Sequence, residues 1–300
     1  MTLSSRITRA GLLALFFALF SSAIALALQV TGLKNPAGFI VDPATGHYFI
    51  SNENGGPSER DNNGFITRLD ETGKILKLKF IEGGTAGVTL HSPKGLAILD
   101  KTLFVSDIDK VRRFDLATGR SLGEIDLSAF KVDFLTGLAA DGAGLLYVAD
   151  TGADTILKVD TRVGSRPTVF VKDSALAGPH GLAVNPATGA LVAVSWNEGK
   201  ILEIARDGSI KVLFANSFFN TRFGNLAGVD FDAFGNIYVS DFSQGKVIRI
   251  DPDFRIQTIA EFLTTPANVS IDRKNHLILV PYLAGNAAEM NGLGRERKKK

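Results

Sequence analysis

Short runs of alternating apolar and polar residues recur along the chain after residue 27. Each unit starts with a small or polar residue, a glycine and an apolar run, and a second apolar run follows after a turn rich in Gly or Asn. The second position of the unit is occupied by Gly38, Gly95, Gly137, Gly181, Gly228 and Asn268. Period-two runs separated by Asp and Gly turns are typical of antiparallel hairpins. Six copies, roughly forty to sixty residues apart and with four short strands each, predict an all-β protein, a six-bladed β-propeller.

The two ends of the repeat array predict how the ring closes. The sixth copy has three predicted strands, at 268–271, 277–280 and 287–293, and it lacks an outer strand. Residues 28–33 precede the first copy, where the outer strand of the preceding blade would lie. We therefore expect this N-terminal strand to pair onto blade six, close the ring and cover an exposed sheet edge. One ring accounts for residues 28–294 as a single domain.

The first 27 residues have the layout of a secretory signal peptide. Arg6 and Arg9 precede the apolar run 10–20, and Ala25-Leu-Ala27 supplies a small-x-small cleavage site. We expect cleavage after Ala27 and a secreted or periplasmic protein. The alternative is an uncleaved anchor, since residues 10–28 are long enough to span a bilayer.

Composition excludes several classes of function. The chain has no cysteine, which excludes disulfides, thiolate metal sites and a cysteine nucleophile. The formal net charge of +2 does not favour nucleic acid as a partner. Residues 295–300 are almost entirely basic, and we expect them to form a disordered tail. We expect a monomer that contacts a membrane only during export and that binds a small polar molecule or a partner protein.

The repeat unit carries a family resemblance. Gly-Leu-Ala-x-Asp, Leu-Tyr-Val-Ala-Asp and Ile-x-x-Val-Asp, found within 137–160 and in a similar form within 228–251, closely resemble the NHL repeat. The chain after residue 27 is similar to the senescence-marker-protein/gluconolactonase-like propellers. The segments 51–66, 92–95 and 106–109 resemble an exported bacterial subgroup. The resemblance implies a six-bladed propeller and, by analogy, a lactonase- or esterase-like hydrolase.

The same resemblance implies a divalent metal, such as calcium, held by Glu, Asn and Asp where the first strands of different blades begin. The matching positions here are Ala37, Thr136, His180 and Ala227, so the usual ligands are missing. Weak substitutes would be Glu53, Asp107, His180 and Asp241. A site of two histidines, His91 and His180, with Asp107 is a further alternative.

Blade geometry predicts where a ligand would bind. First strands begin and second strands end on the same face, so their polar residues should meet at one mouth of the central channel. The ligand-binding candidates are Asn52, Asn54, Lys94, Asp107, Asp109, Thr136, His180, Trp196, Asn197, Asp241 and Asn268. The long polar loop 51–64 should lie over this mouth as a lid or clamp. The turns of the opposite face have the composition of ordinary surface turns.

Structural alternatives remain for several candidates. Lys94 would attract an anionic ligand, or form a salt bridge with Asp107 or Asp109. Asp107 and Asp241 end second strands, where Asp commonly accepts backbone N–H bonds. Trp196 is either a stacking platform or a wall between blades. Two functional classes therefore stay open: a hydrolase-like enzyme, and a non-catalytic propeller that binds a small molecule or a protein.

Overall fold

The computed structural model describes residues 28–293; the predicted signal peptide 1–27 and the basic end 295–300 lie outside the described residues. Twenty-four strands form six antiparallel four-stranded sheets. Blade one contains β2 (Pro36–Val41), β3 (Tyr48–Asn52), β4 (Phe65–Leu69) and β5 (Ile75–Glu82). Blade two contains β6 (Pro93–Leu99), β7 (Thr102–Asp107), β8 (Lys110–Asp115) and β9 (Ser121–Ile125). Blade three contains β10 (Leu135–Ala140), β11 (Leu145–Asp150), β12 (Thr155–Asp160) and β13 (Arg166–Lys172).

The remaining blades repeat this order. Blade four contains β14 (Pro179–Val184), β15 (Leu191–Ser195), β16 (Ile201–Ile204) and β17 (Ile210–Phe214). Blade five contains β18 (Leu226–Phe231), β19 (Ile237–Asp241), β20 (Lys246–Ile250) and β21 (Ile256–Ala260). Blade six contains β22 (Ser270–Asp272), β23 (Leu277–Tyr282), β24 (Ala287–Gly292) and β1 (Leu28–Val30). Two short 3-10 turns, Ser128–Phe130 and Ser174–Leu176, lie in loops between blades. No helix within residues 28–293 is long and apolar enough to cross a membrane.

The predicted ring closure is confirmed. Strand β1 is the outer strand of blade six and pairs antiparallel with β24, with Gln29 opposite Glu289. Val30 is 3% exposed and Leu33 is 1% exposed, and both pack in the cluster between blades six and one. The N-terminal strand therefore joins the two ends of the chain and covers the edge of β24.

Adjacent blades pack through apolar side chains and through close backbone contact. In the described chain, each of the six gaps between neighbouring blades contains a cluster of buried residues. The repeat glycine is required here because the first strands approach each other closely. A methyl group at Gly95 would overlap the carbonyl oxygen of Thr136, and one at Gly137 would overlap that of His180.

A buried serine fastens several of these blade contacts. The Ser106 hydroxyl accepts a hydrogen bond from Gly95 N (2.8 Å) and donates to the Thr136 carbonyl of the next blade (2.6 Å). Ser51 and Ser240 make equivalent bonds to blades two and six. Each serine thus satisfies one backbone donor of its own blade and one backbone acceptor of the next.

Candidate functional site

Bulges at the start of the first strands position the candidate residues. In blades two, three and four the antiparallel register breaks between Pro93 and Leu96 and at the equivalent places. Lys94, Thr136 and His180 each lie within such a bulge. A bulge leaves residues unpaired and turns their side chains, and bulges are common beside active sites. We call this end of the channel, defined by Glu53, Lys94 and His180, the first mouth.

His180 joins two blades and keeps one nitrogen open. Its Nδ1 lies 2.7 Å from the Ala227 carbonyl oxygen of blade five, so Nδ1 carries the proton and donates. The ring stacks on Trp196, with centroids 4.9 Å apart. Burial, with a smaller contribution from the positive charge of Lys94, lowers the pKa of His180 to about 4, against the opposing effect of the hydrogen bond to Ala227. The ring is therefore neutral at physiological pH, and among residues 28–293 no hydrogen-bond partner reaches its Nε2.

Lys94 is buried at 5% exposure and donates to three protein oxygens. Its ammonium group bonds the Pro57 carbonyl (2.5 Å), the Ser92 carbonyl (3.1 Å) and the Ser92 hydroxyl (3.1 Å). It also lies 4.9 Å from the centre of the Phe134 ring. Its three N–H donors are thus occupied, and burial lowers the pKa of Lys94.

The expectation that Lys94 pairs with Asp107 or Asp109 is wrong, because its ion-pair partner is Glu53. The nearest carboxylate oxygen that pairs with Lys94 belongs to Glu53, at 3.9 Å. Asp107 instead accepts from Arg112 Nε at 3.1 Å, and Asp109 pairs with Arg60 at 3.0 Å. The reason is the path of the loop after β3, which brings Glu53 over Lys94.

Glu53 is a buried carboxyl group without a hydrogen bond. Its side chain is 6% exposed, and within the described chain no donor bonds its carboxyl oxygens. Burial raises the pKa of Glu53 to about 7, although the charge of Lys94 opposes this rise. Such perturbed groups are common at functional sites. The sequence offered Glu53 only as a weak metal ligand, because its burial depends on the loop path.

Three other candidates use their side chains to hydrogen-bond the backbone of a neighbouring loop. Asp107 accepts from the amides of His91 (2.9 Å) and Ser92 (2.8 Å), and Asp241 accepts from Gly224 N (2.6 Å). The fully buried Asn52 accepts from Lys34 N and donates to the Ile50 carbonyl and the Thr67 hydroxyl. In each case the residue that ends the second strand binds the loop leading into its own blade. In the sequence, polar residues recur at the end of the second strand of the repeat, and this recurrence indicated that they bind backbone groups.

The remaining candidates are placed as follows. Thr136 bonds the Thr151 hydroxyl (2.7 Å) and the His180 carbonyl (3.2 Å), which replaces the blade-to-blade serine in blade three. Trp196 lies between His180 and Phe242, so it forms part of the wall. Asn197 is exposed, and Asn54 bonds the Asn63 carbonyl (3.0 Å) at the base of the long loop. Asn268 lines the channel cavity described below.

The long loop is fastened to blade two. Pro57 bonds Lys94, Arg60 pairs with Asp109, and Asn62 N donates to His91 Nδ1 at 3.0 Å. These contacts hold the loop over one side of the first mouth. They also occupy His91, which cannot offer Nδ1 to a metal.

The residues do not fit the metal site that the resemblance implies. No group of three His, Asp or Glu side chains within residues 28–293 converges to hold an ion. The oxygens of Asp107 and Asp241 are occupied by amides and by Arg112. The chemistry of the first mouth therefore rests on its own side chains.

A cavity of about 640 Å³ lies in the other half of the channel. Its walls are mainly aliphatic and include Ile40, Ile98 and Val184; among the predicted site residues, only Asn268 lines it. Its acidic side chains are engaged: Asp230, for example, accepts from Ile271 N (2.8 Å) and from Arg273 (2.5 Å). The cavity and the open polar groups thus occupy different halves. We therefore take the first mouth as the candidate ligand site, because the Glu53 carboxyl group and His180 Nε2 are unpaired there.

Comparisons with known proteins support the architecture. No family model and no curated protein matches the sequence. Virginiamycin B lyase from Staphylococcus aureus is 13% identical, and the match covers 88% of this chain and 98% of that chain with a TM-score of 0.62. This chain is a six-bladed β-propeller.

Two further structures share this propeller fold. A protein of unknown function from Bacteroides thetaiotaomicron is 14% identical, with a TM-score of 0.68 over 87% of this chain and 70% of that chain. A chain of a nidogen/laminin complex is 23% identical, with a TM-score of 0.58 over 75% of this chain and 88% of that chain. At these identities the likeness establishes the fold alone, since propellers carry many unrelated functions.

Proposed function

We propose that this propeller binds a small hydroxylated molecule at the first mouth. The observation that carries the proposal is the pair of open polar groups beside Lys94: Nε2 of His180 and the carboxyl group of Glu53. A neutral imidazole with Nδ1–H anchored presents a lone pair at Nε2. Nε2 of His180 accepts a hydrogen bond, and the Glu53 carboxyl group accepts at both oxygens when ionised and at its carbonyl oxygen when protonated. The pair therefore favours a ligand that donates, such as an alcohol or polyol.

Lys94 supports this site without binding the ligand directly. A buried lysine at a channel mouth was expected to attract an anion, but its three donors already bond Pro57 and Ser92. Contact with an anion would break one of these bonds. Its charge instead lowers the pKa of Glu53 against the effect of burial. We therefore favour a hydroxylated ligand over a carboxylate.

Acid–base catalysis is a second candidate, favoured by the pKa of about 7 for Glu53. A carboxyl group that titrates near neutral pH can take a proton from an attacking water and return it to a leaving alcohol. The substrate class would be a small hydroxylated ester or lactone. This agrees with the resemblance to gluconolactonase-like and NHL-type propellers, and it would proceed without the metal of that group. A non-catalytic role, including binding of a partner protein, stays the alternative.

A matched pair of substitutions tests the proposal. A library of sugars, polyols and hydroxy acids is first screened against the wild type by thermal shift and titration calorimetry. For any ligand found, His180→Asn keeps a donor near the Nδ1 position and removes Nε2, whereas His180→Gln does the reverse. We expect His180→Asn to lose ligand affinity by about tenfold or more, with the fold retained. Equal affinity in wild type and His180→Asn would refute the assignment of Nε2.

We further propose export of the protein, on the basis of the layout of residues 1–27. Sequencing the N-terminus of protein purified from its host should give Leu28 as the first residue. Recovery of a full-length, membrane-bound form would instead support an uncleaved anchor.

A further inference from the structure

The loop that enters blade five presents two exposed phenylalanines. Ser217 and Asn220 exchange both backbone hydrogen bonds, at 3.1 Å each, and form a tight hairpin. Phe218 and Phe219 occupy its tip and are 96% and 94% exposed. Their rings contact each other edge to face at 5.1 Å. Nearly complete exposure of two adjacent phenylalanines is unusual for a water-facing loop.

The base of this hairpin is firmly built. The Asn216 side chain accepts from Arg222 N (2.9 Å) and Phe223 N (3.0 Å). It also donates to the carbonyls of Glu198 (3.2 Å) and Phe223 (2.8 Å). Phe223 itself is 1% exposed and anchors the loop in the gap between blades four and five. The polypeptide therefore holds the two phenylalanines away from the core.

The next loop between blades presents a third phenylalanine on the same face. Phe262 is 97% exposed, and its φ of 60° lies in the left-handed region that non-glycine residues rarely adopt. The following residue, Leu263, is fixed by a bond from its N–H to the Gly245 carbonyl at 3.0 Å. Both loops lead from a fourth strand into a first strand, so all three rings lie on the face of the first mouth.

The size and shape of this surface favour a lipid over a protein. Three phenylalanines offer about 450–750 Å² of contact area, which is below the roughly 800 Å² per partner of a stable protein interface. They also protrude from two separate loop tips instead of forming a flat surface. Arg222, exposed on the same hairpin, has no side-chain partner within residues 28–293, which leaves its guanidinium group available to a phosphate.

We propose that Phe218, Phe219 and Phe262 insert into the surface of a phospholipid bilayer, with Arg222 contacting a lipid phosphate. The first mouth then faces the membrane. This contact differs from the sequence-based expectation of membrane contact only during export. It does not depend on the proposed ligand, because none of these four residues belongs to the first mouth.

Vesicle binding tests the proposal. Protein beginning at Leu28, which contains the complete ring, is sedimented with vesicles of phosphatidylcholine alone or mixed with phosphatidylglycerol. Replacing all three phenylalanines by serine should lower the partition coefficient by at least about tenfold in both vesicle types, because each ring loses burial in lipid. Arg222→Gln should weaken binding further in the mixture. The control is Phe234→Ser, a residue 60% exposed on the opposite face, which should bind as the wild type does.

Three outcomes would overturn the proposal. The first is equal partition of the wild type and the triple variant. The second is equal loss in the triple variant and in Phe234→Ser. The third is a lipid-free dimer, seen by sedimentation velocity, that the triple variant abolishes, which would assign the surface to a second copy of the chain. Because the substituted side chains are exposed, unchanged melting temperatures should show that all variants fold.

Discussion

The carboxyl oxygen of Glu53 lies 3.9 Å from the ammonium nitrogen of Lys94, and both side chains are only 6% exposed. This separation is too long for a hydrogen bond, so the pair interacts through charge alone. The three N–H donors of Lys94 bond the Pro57 carbonyl and two oxygens of Ser92, so none is left to bond the carboxyl group of Glu53. Glu53 is therefore the group at the first mouth that can change its protonation near neutral pH.

Glu53→Gln should change how stability depends on pH. The pKa of Glu53 is raised from 4.5 to about 7 in the folded protein, so its contribution to stability is present below pH 4.5 and is lost as pH rises to 7. The variant lacks this loss. Relative to wild type, it should gain about 3 kcal/mol between pH 4.5 and 7, at about 1.4 kcal/mol per pKa unit. Urea denaturation at the two pH values measures the free energy of unfolding of both proteins. A difference between variant and wild type that is the same at both pH values would contradict the raised pKa of Glu53.

His180→Asn should show the opposite dependence. The pKa of His180 falls from 6.5 to about 4 on folding, so its contribution is present above pH 6.5 and is lost as pH falls toward 4. Because Asn does not titrate, the variant should gain about 3 kcal/mol relative to wild type as pH falls through this window. The same denaturation series serves as the assay. Parallel curves for wild type and variant would mean that the ring is not desolvated.

The blade-to-blade serine should contribute measurably to stability. Ser106→Ala removes the acceptor of Gly95 N and the donor to the Thr136 carbonyl, both buried. We expect a loss of about 1–3 kcal/mol. Ser209→Ala, in an exposed turn, is the control and should change stability by less than about 0.5 kcal/mol. Equal effects of the two substitutions would show that the Ser106 hydroxyl does not stabilise the contact between blades two and three.

The N-terminal strand should be needed for a closed ring. Deleting residues 28–30 exposes the edge of β24 and removes the buried Val30. We expect a loss of about 2–4 kcal/mol and a tendency to aggregate through the open edge. Thermal unfolding and light scattering measure both effects, with Leu28→Ser as the milder comparison because Leu28 is 40% exposed. A deletion variant as stable as the wild type would show that the ring closes without this strand.

Much of the fold was predictable because period-two alternation and the repeat glycine report local structure and blade contacts directly. The closure by residues 28–33 followed from counting strands, although β1 spans only Leu28–Val30 and β22 begins at Ser270 instead of residue 268. These ends depend on pairing partners, which a single sequence does not specify.

The candidate site was predictable only in part. Placing Lys94 and His180 at one mouth followed from strand order, and the positive charge of Lys94 does contribute to the lowered pKa of His180. The partners of Lys94 were not predictable, since Pro57 reaches it through the path of a long loop. The cavity in the other half of the channel was missed because Ile98 and Val184 look like ordinary strand residues.

The most direct test of the central claim is a crystal structure of the protein with a small hydroxylated ligand from the screen. We predict ligand density at the first mouth, with a ligand hydroxyl within hydrogen-bonding distance of His180 Nε2 and of the Glu53 carboxyl group. Ligand density confined to the cavity between Ile98 and Val184, with the first mouth empty, would contradict the claim.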